Sequence, residues 1–98
     1  MTSTDSSMFV VHKDEYHIGF HITFKNGWTA SVQFGPGNYC SNHLSKKRGI
    51  FNSSDCEIAA WDKNGHWYRF NEENDTVKGY CKADEVAEFI NMIKSKEE

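Results

Sequence analysis

A chain of 98 residues, with eleven Lys and Arg against fourteen Asp and Glu and a formal charge of −3, has room for one domain and not two. Its basic residues are scattered apart from Lys46-Lys47-Arg48, which argues against duplex nucleic acid, whose phosphates reward a basic face. No stretch approaches the ~18 apolar residues of a membrane-spanning helix, and three cysteines, an odd number, cannot all pair within the chain, so free thiols in a reducing cytoplasm are expected.

Residues 1–7 are polar, lack the apolar run of a signal peptide and read as a disordered start. Residues 8–11 form a short apolar run, read as an edge strand or a segment covering the sheet, and 12–15 read as a polar turn. From Ile18 to Phe34 apolar and polar residues alternate on both sides of Lys25-Asn26-Gly27. A two-residue Asn-Gly turn would set Phe24 against Thr29 and Ile22 against Ser31, mixing apolar with polar on each face. A three-residue loop with Gly27 in the left-handed position instead sets Phe24 against Trp28, Ile22 against Ala30, Phe20 against Val32 and Ile18 against Phe34. All the apolar residues then share one face, so the three-residue loop is expected.

Residues 35–55 carry little periodicity and open with the turn residues Gly35-Pro36-Gly37-Asn38; they are read as a long loop. The tripeptide Lys63-Asn64-Gly65 then repeats the first corner between 56–62 and 66–70, and the same loop pairs Ile58 with Phe70, Ala60 with Tyr68, Trp61 with Trp67 and Asp62 with His66. Residues 71–75 read as an acidic loop and 76–81 as a short strand. Over 83–96, Val86, Ile90 and Ile93 recur at helical spacing, with Asp84 and Glu85 in the first turn and Lys94 and Lys96 in the last, the favourable sense for the helix dipole. Lys82 is a poor N-cap. The predicted fold is α+β: an antiparallel sheet of two β-hairpins, with room for one or two extra short strands, covered on one face by a single C-terminal helix lying across Ile18, Phe20, Ile22 and Phe24. Seven Phe, four Tyr and three Trp supply rings large enough for so small a core to hold without cross-links.

On the face away from the helix the register leaves Gly19, His21, Thr23, Thr29, Ser31 and Gln33, joined by Glu57, Ala59, Trp61, Trp67 and Arg69 of the second hairpin. One reading is a solvated sheet face on which a cross-strand Trp61/Trp67 pair stabilises its hairpin. The other is a binding platform that includes His21: the indoles stack a ring while the Thr and Ser residues, Gln33 and Arg69 supply hydrogen bonds. Burial of this face between copies of the chain is a third. A second candidate is the loop around Gly35, Gly37, Asn38 and Tyr39, where glycines let backbone amides approach an anion. It is not a P-loop, since no Gly-Lys-Ser/Thr follows. Cys40 and His43 are the one close pair of metal-ligand type, against the two close pairs usual in structural zinc sites, so neither metal nor cofactor is expected. No nucleophile elbow, His-Glu-x-x-His or Cys-x-x-Cys is present, and no catalytic residue is assigned.

The stretch from Gly19-Phe20-His21-Ile22-Thr23-Phe24-Lys25-Asn26-Gly27-Trp28 through Ser31-Val32-Gln33-Phe34-Gly35-Pro36-Gly37-Asn38-Tyr39-Cys40 resembles a family of short bacteriophage-encoded proteins, and the similarity continues through Glu57-Ile58-Ala59-Ala60-Trp61 and Gly79-Tyr80 into the helix. The resemblance brings no established activity and carries over no site residue. It implies an accessory role in the host-cell cytoplasm. Taken with the polar face, it leads to the expectation of an anti-defence protein that sequesters a small anionic, nucleotide-like ligand. The alternatives are a protein–protein inhibitor of a host defence protein and, third, a small nucleotide-cleaving enzyme using His21, His43 or Glu57 as acid and base. The partner is thus a small anionic ligand or a host protein, with no membrane; a homo-oligomer stays open.

Overall fold

The computed structural model describes residues 7–14, 17–35, 40, 53–71, 73 and 75–97. Most of the predicted 35–55 loop, including Gly37, Asn38, Tyr39, His43 and Lys46-Lys47-Arg48, lies outside the described residues, as do residues 1–6 of the predicted disordered start. Five strands form one antiparallel sheet in chain order: β1 (Met8–Lys13), β2 (Ile18–Thr23), β3 (Thr29–Gln33), β4 (Cys56–Trp61) and β5 (Lys78–Cys81). One helix, α1 (Ala83–Lys94), packs on β3 and β4. The α+β reading is therefore correct, with β1 and β5 as the extra strands.

The first Lys-Asn-Gly corner has the predicted geometry. Gly27 sits at φ +89°, its N–H donates to the Phe24 carbonyl at 2.9 Å, and the Phe24 N–H donates to Trp28 at 2.8 Å. Phe20 faces Val32 and Ile22 faces Ala30, and the ladder runs on to a bond from the Phe34 N–H to the Ile18 carbonyl. A left-handed φ costs an L-residue roughly 1–2 kcal/mol, which is why glycine stands there.

Three expectations need correction. The polar turn at 12–15 begins later, because His12 and Lys13 continue β1 opposite Gly19 and Ile18; Glu15 lies outside the described residues. The second hairpin is cut short. Its corner forms, with Gly65 at φ +82°, and Trp61 bridges Trp67, but Ile58 pairs with Lys78 of β5 and not with Phe70. Beyond Tyr68 the chain turns toward the helix: Tyr68 and Phe70 pack their rings on Phe89 at 5.8 and 5.4 Å, and Asn71 closes the following loop by accepting from the N–H groups of Glu73 and Asp75. Burying two rings against α1 outweighs extending a two-stranded ribbon.

The third correction concerns the helix. It covers the predicted face but sits over β3 and β4, not along β2. Ala30 and Ala60 are both 0% exposed, and their small side chains let the helix approach closely enough to bury Phe89 and Ile93 among Val32, Ile58, Cys56 and Cys81. Phe20, Phe24 and Trp28 pack at the flank and stay half-buried. The helix has no side-chain N-cap at Lys82, as expected. It stops at Lys94, two residues before the predicted end, and its C-terminus is held from a distance. Asn26, in the first corner, donates its Nδ2 hydrogens to the carbonyls of Ile93 at 2.9 Å, Lys94 at 3.2 Å and Lys96 at 2.8 Å, while its Oδ1 accepts from the Trp28 N–H at 2.9 Å. One amide thus satisfies carbonyls that a helix end leaves orphaned and fixes the bend of the hairpin that reaches them. Lys96 then lies over the rings of Trp28 and Tyr68, 5.1 and 5.3 Å from their centroids.

Candidate ligand-binding face

The face away from the helix is built differently from the open polar wall predicted for it. Thr29, Ser31 and Gln33 are buried, as is Ala59. The cause lies in their neighbours. Strands two apart stand roughly 10 Å from one another, yet the rings of His21 on β2 and Trp61 on β4 meet edge to face at 4.9 Å. They lean toward each other over β3 and roof its small residues. Beneath them Thr23 and Thr29 hydrogen-bond at 2.9 Å, and Gln33 donates to the Ser31 hydroxyl at 3.3 Å. Gln33 therefore belongs to the interior of the sheet and not to a ligand-facing surface. Gly19 opposite it makes this possible: a Cβ there would stand 2.2 Å from the Val32 carbonyl oxygen and 2.7 Å from the Gln33 side chain.

What remains at the surface is a row of four rings crossing the sheet. His12 and His21 have centroids 4.3 Å apart and share a hydrogen bond of 3.3 Å between Nε2 and Nδ1; Trp61 follows His21 at 4.9 Å, and Trp67 follows Trp61 at 4.9 Å. His12 reaches His21 diagonally because its direct partner in the ladder is Gly19, which has no side chain to block the way. Burial, and secondarily the neighbouring His12, hold the His21 pKa below the ordinary histidine value. A neutral His21 is thus favoured in the middle of the row.

At its far end the row is open. Trp67 is 47% exposed, and Arg69, two residues on, is exposed as well. Trp61 and Trp67 are held at the second Lys-Asn-Gly corner, where Asp62 Oδ1 accepts from the N–H groups of Asn64 and His66 at 2.8 and 2.9 Å and Oδ2 meets His66 Nδ1 at 3.2 Å. The N–H bonds from His66, then Asn64, hold the Asp62 pKa below the usual carboxylate value.

Of the predicted binding residues, the structure brings His21, Trp61 and Trp67 together. Arg69 stands beside them along the chain, Gln33 is buried under the row, and Gly35 is buried where its carbonyl accepts from the Cys40 thiol at 3.4 Å. Gly37, Asn38 and Tyr39 lie outside the described residues. His12 is the residue that sequence reasoning missed. The signal was weak: 8–11 is a continuous apolar run with no alternation, and only the pairing with β2 shows that His12 shares a face with Met8 and Val10.

The thiols sit elsewhere. Cys56 and Cys81 face each other across β4 and β5 in the core, and burial, with Cys81 close by, pushes the Cys56 thiol up to about 12. Both are protonated fillers near neutral pH. His43, the partner considered for Cys40, lies outside the described residues. No helix among the described residues is long and apolar enough to cross a membrane. Comparison with protein-family models, with curated proteins and with solved structures returned no match.

Proposed function

We propose that the chain is a binding protein that holds a planar, anionic, nucleotide-like ligand at the open end of the ring row. One observation carries the reading: Trp67 stands half in solvent on a support of three further rings, so its outer face is a rigid surface on which a base can stack without any side chain first being ordered. Stacking on an aromatic side chain is worth ~1–3 kcal/mol per base and tolerates any base, because every base has a π-face. Arg69, exposed two residues further along the chain, would supply the cation for a phosphate. The row holds no thiol, hydroxyl or carboxylate, and its two imidazoles are hydrogen-bonded to each other, which supports holding a ligand over transforming it. The resemblance of 19–40 to bacteriophage-encoded proteins supports reading the ligand as a nucleotide defence signal of a host cell, withdrawn from its receptor by capture.

Isothermal titration against cyclic dinucleotides, ADP-ribose and its cyclic forms, with tryptophan emission followed in parallel, tests the proposal. Saturable binding is expected for one member of the panel, weakened about tenfold or more by Trp67→Ala and less by Arg69→Ala. Flat titrations across the panel discard it. Mass spectrometry of the recovered ligand separates capture from cleavage: an unchanged mass supports sequestration.

A further inference from the structure

Strand β1 is a lightly guarded edge strand. Natural edges are protected by charges, proline or a bulge, but β1 has no proline, carries its one charge at its last residue, Lys13, and pairs with β2 without a register shift. Phe9 and Val11 are 76% and 78% exposed on the helix side of the sheet, which α1, seated over β3 and β4, leaves uncovered at this end.

The hydrogen-bonding direction of this edge follows from bonds already described. Phe24 and Ile18 bond to the β3 side, so the even-numbered residues of β2 point their backbone groups to β3 and the odd-numbered ones to β1. The β1 partners of Gly19, His21 and Thr23 are His12, Val10 and Met8. The N–H and C=O groups of Phe9 and Val11 therefore point outward, along the open edge. The two most exposed side chains of the strand and its outward backbone groups belong to the same residues.

We propose that the chain pairs with a second copy of itself along β1, antiparallel, in the register that sets Val10 against its own symmetry mate. That residue is flanked on both sides by an exposed apolar side chain, Phe9 and Val11. A two-fold axis through Val10 lays Phe9 on the second copy's Val11 twice over and joins both pairs by backbone hydrogen bonds. It also packs Met8 against the second copy's His12, where each ring row begins. Shifting the axis to Val11 would set Lys13 on Phe9, and shifting it to Phe9 would set Val11 on Ser7; of the three, only the Val10 register gives both Phe9 and Val11 an apolar partner. In that register the two Lys13 charges end up roughly 20 Å apart, six residues of strand, so the one cation of the strand does not oppose pairing. A foreign strand would have to supply this pattern, whereas every copy of the chain already carries it. A strand edge offers less than the ~800 Å² per partner of a standard interface, so the dimer exchanges with monomer over the micromolar range.

Sedimentation velocity of the full chain from micromolar to millimolar concentration is expected to show a monomer–dimer equilibrium. Val11→Lys, at a position too exposed to matter to the fold, raises the dissociation constant about tenfold or more with an unchanged thermal midpoint. Val11→Pro, which deletes an outward N–H and leaves the bonds to β2 intact, does the same. The register has its own readout. Val10 and its mate form a non-hydrogen-bonded pair with Cα atoms ~4.5 Å apart, inside disulfide reach, while the two Val11 residues stand beyond the ~7 Å limit. In a Cys40→Ser background, Val10→Cys should therefore form a disulfide-linked dimer under oxidised glutathione, and Val11→Cys should not. A monomer at every concentration, a dimer indifferent to Val11→Lys, or equal cross-linking at both positions overturns the proposal.

Discussion

The two Lys-Asn-Gly corners share a tripeptide, a loop length and a left-handed glycine, at φ +89° and +82°, yet they do different work. In the first, Asn26 turns inward and binds three carbonyls at the end of α1, so the corner joins sheet to helix. In the second, Asn64 is exposed and the loop is held from its flank by Asp62, which holds the two tryptophans in register and touches nothing of the helix. The tripeptide specifies a bend. What the bend achieves depends on what lies within reach of the middle residue.

The sharpest way to break this contrast is at the two asparagines. Asn26→Ala removes the side-chain donor to the Ile93, Lys94 and Lys96 carbonyls and frees the Trp28 N–H, and is expected to cost ~2–3 kcal/mol in urea unfolding. Asn64→Ala should stay within ~0.5 kcal/mol. Equal effects would mean that the long-range tie adds nothing. The glycines give a smaller difference. Gly65→Ala meets no atom within 4 Å, so it carries only the left-handed backbone penalty of ~1–2 kcal/mol. Gly27→Ala adds contacts of 3.3 Å with the Lys63 side chain and should fall ~0.5–1 kcal/mol below it.

Smallest of all is a difference in acid response. Asn26 does not titrate, whereas Asp62 does, with a pKa held below 3.8 in the fold. The contribution of a carboxylate with a lowered folded pKa is complete above its unfolded value and is lost as pH falls through the folded one. As pH falls below the ordinary carboxylate value, therefore, the amide resonances of Asn64 and His66 are expected to shift once their acceptor is protonated, while those of Gly27 and Trp28 stay in place. Movement at the first corner alone would reverse the assignment.

Much of the fold was legible because side-chain period and loop length constrain one another. With Phe20, Ile22, Ala30 and Val32 forced onto one face, the first corner admitted one loop length. The places where sequence reasoning failed lacked such coupling. Tyr68 and Phe70 fit a return strand and a ring cluster equally well by alternation, and only the presence of Phe89 nearby decides between them. The closeness of helix to sheet depends on Ala30 and Ala60, whose smallness reads in sequence as neutrality. At the candidate site, the pairing of Trp61 with Trp67 could be read from the corner between them. The burial of Thr29, Ser31 and Gln33 could not, because it comes from His21 and Trp61 meeting across an intervening strand.

Asn26 and the carbonyls it holds are separated by 67 to 70 positions of chain. Closing so long a loop is entropically demanding and gains nothing until hairpin and helix both exist, so this tie is expected to form after the main barrier, which a φ-value of about zero for Asn26→Ala would show. During synthesis the first hairpin emerges whole while its greasy side waits for residue 96 to leave the ribosome, an interval in which a chaperone or a sister chain finds it uncovered. Once made, a bond formed past the barrier governs how slowly the molecule comes apart and leaves the speed of its assembly nearly untouched.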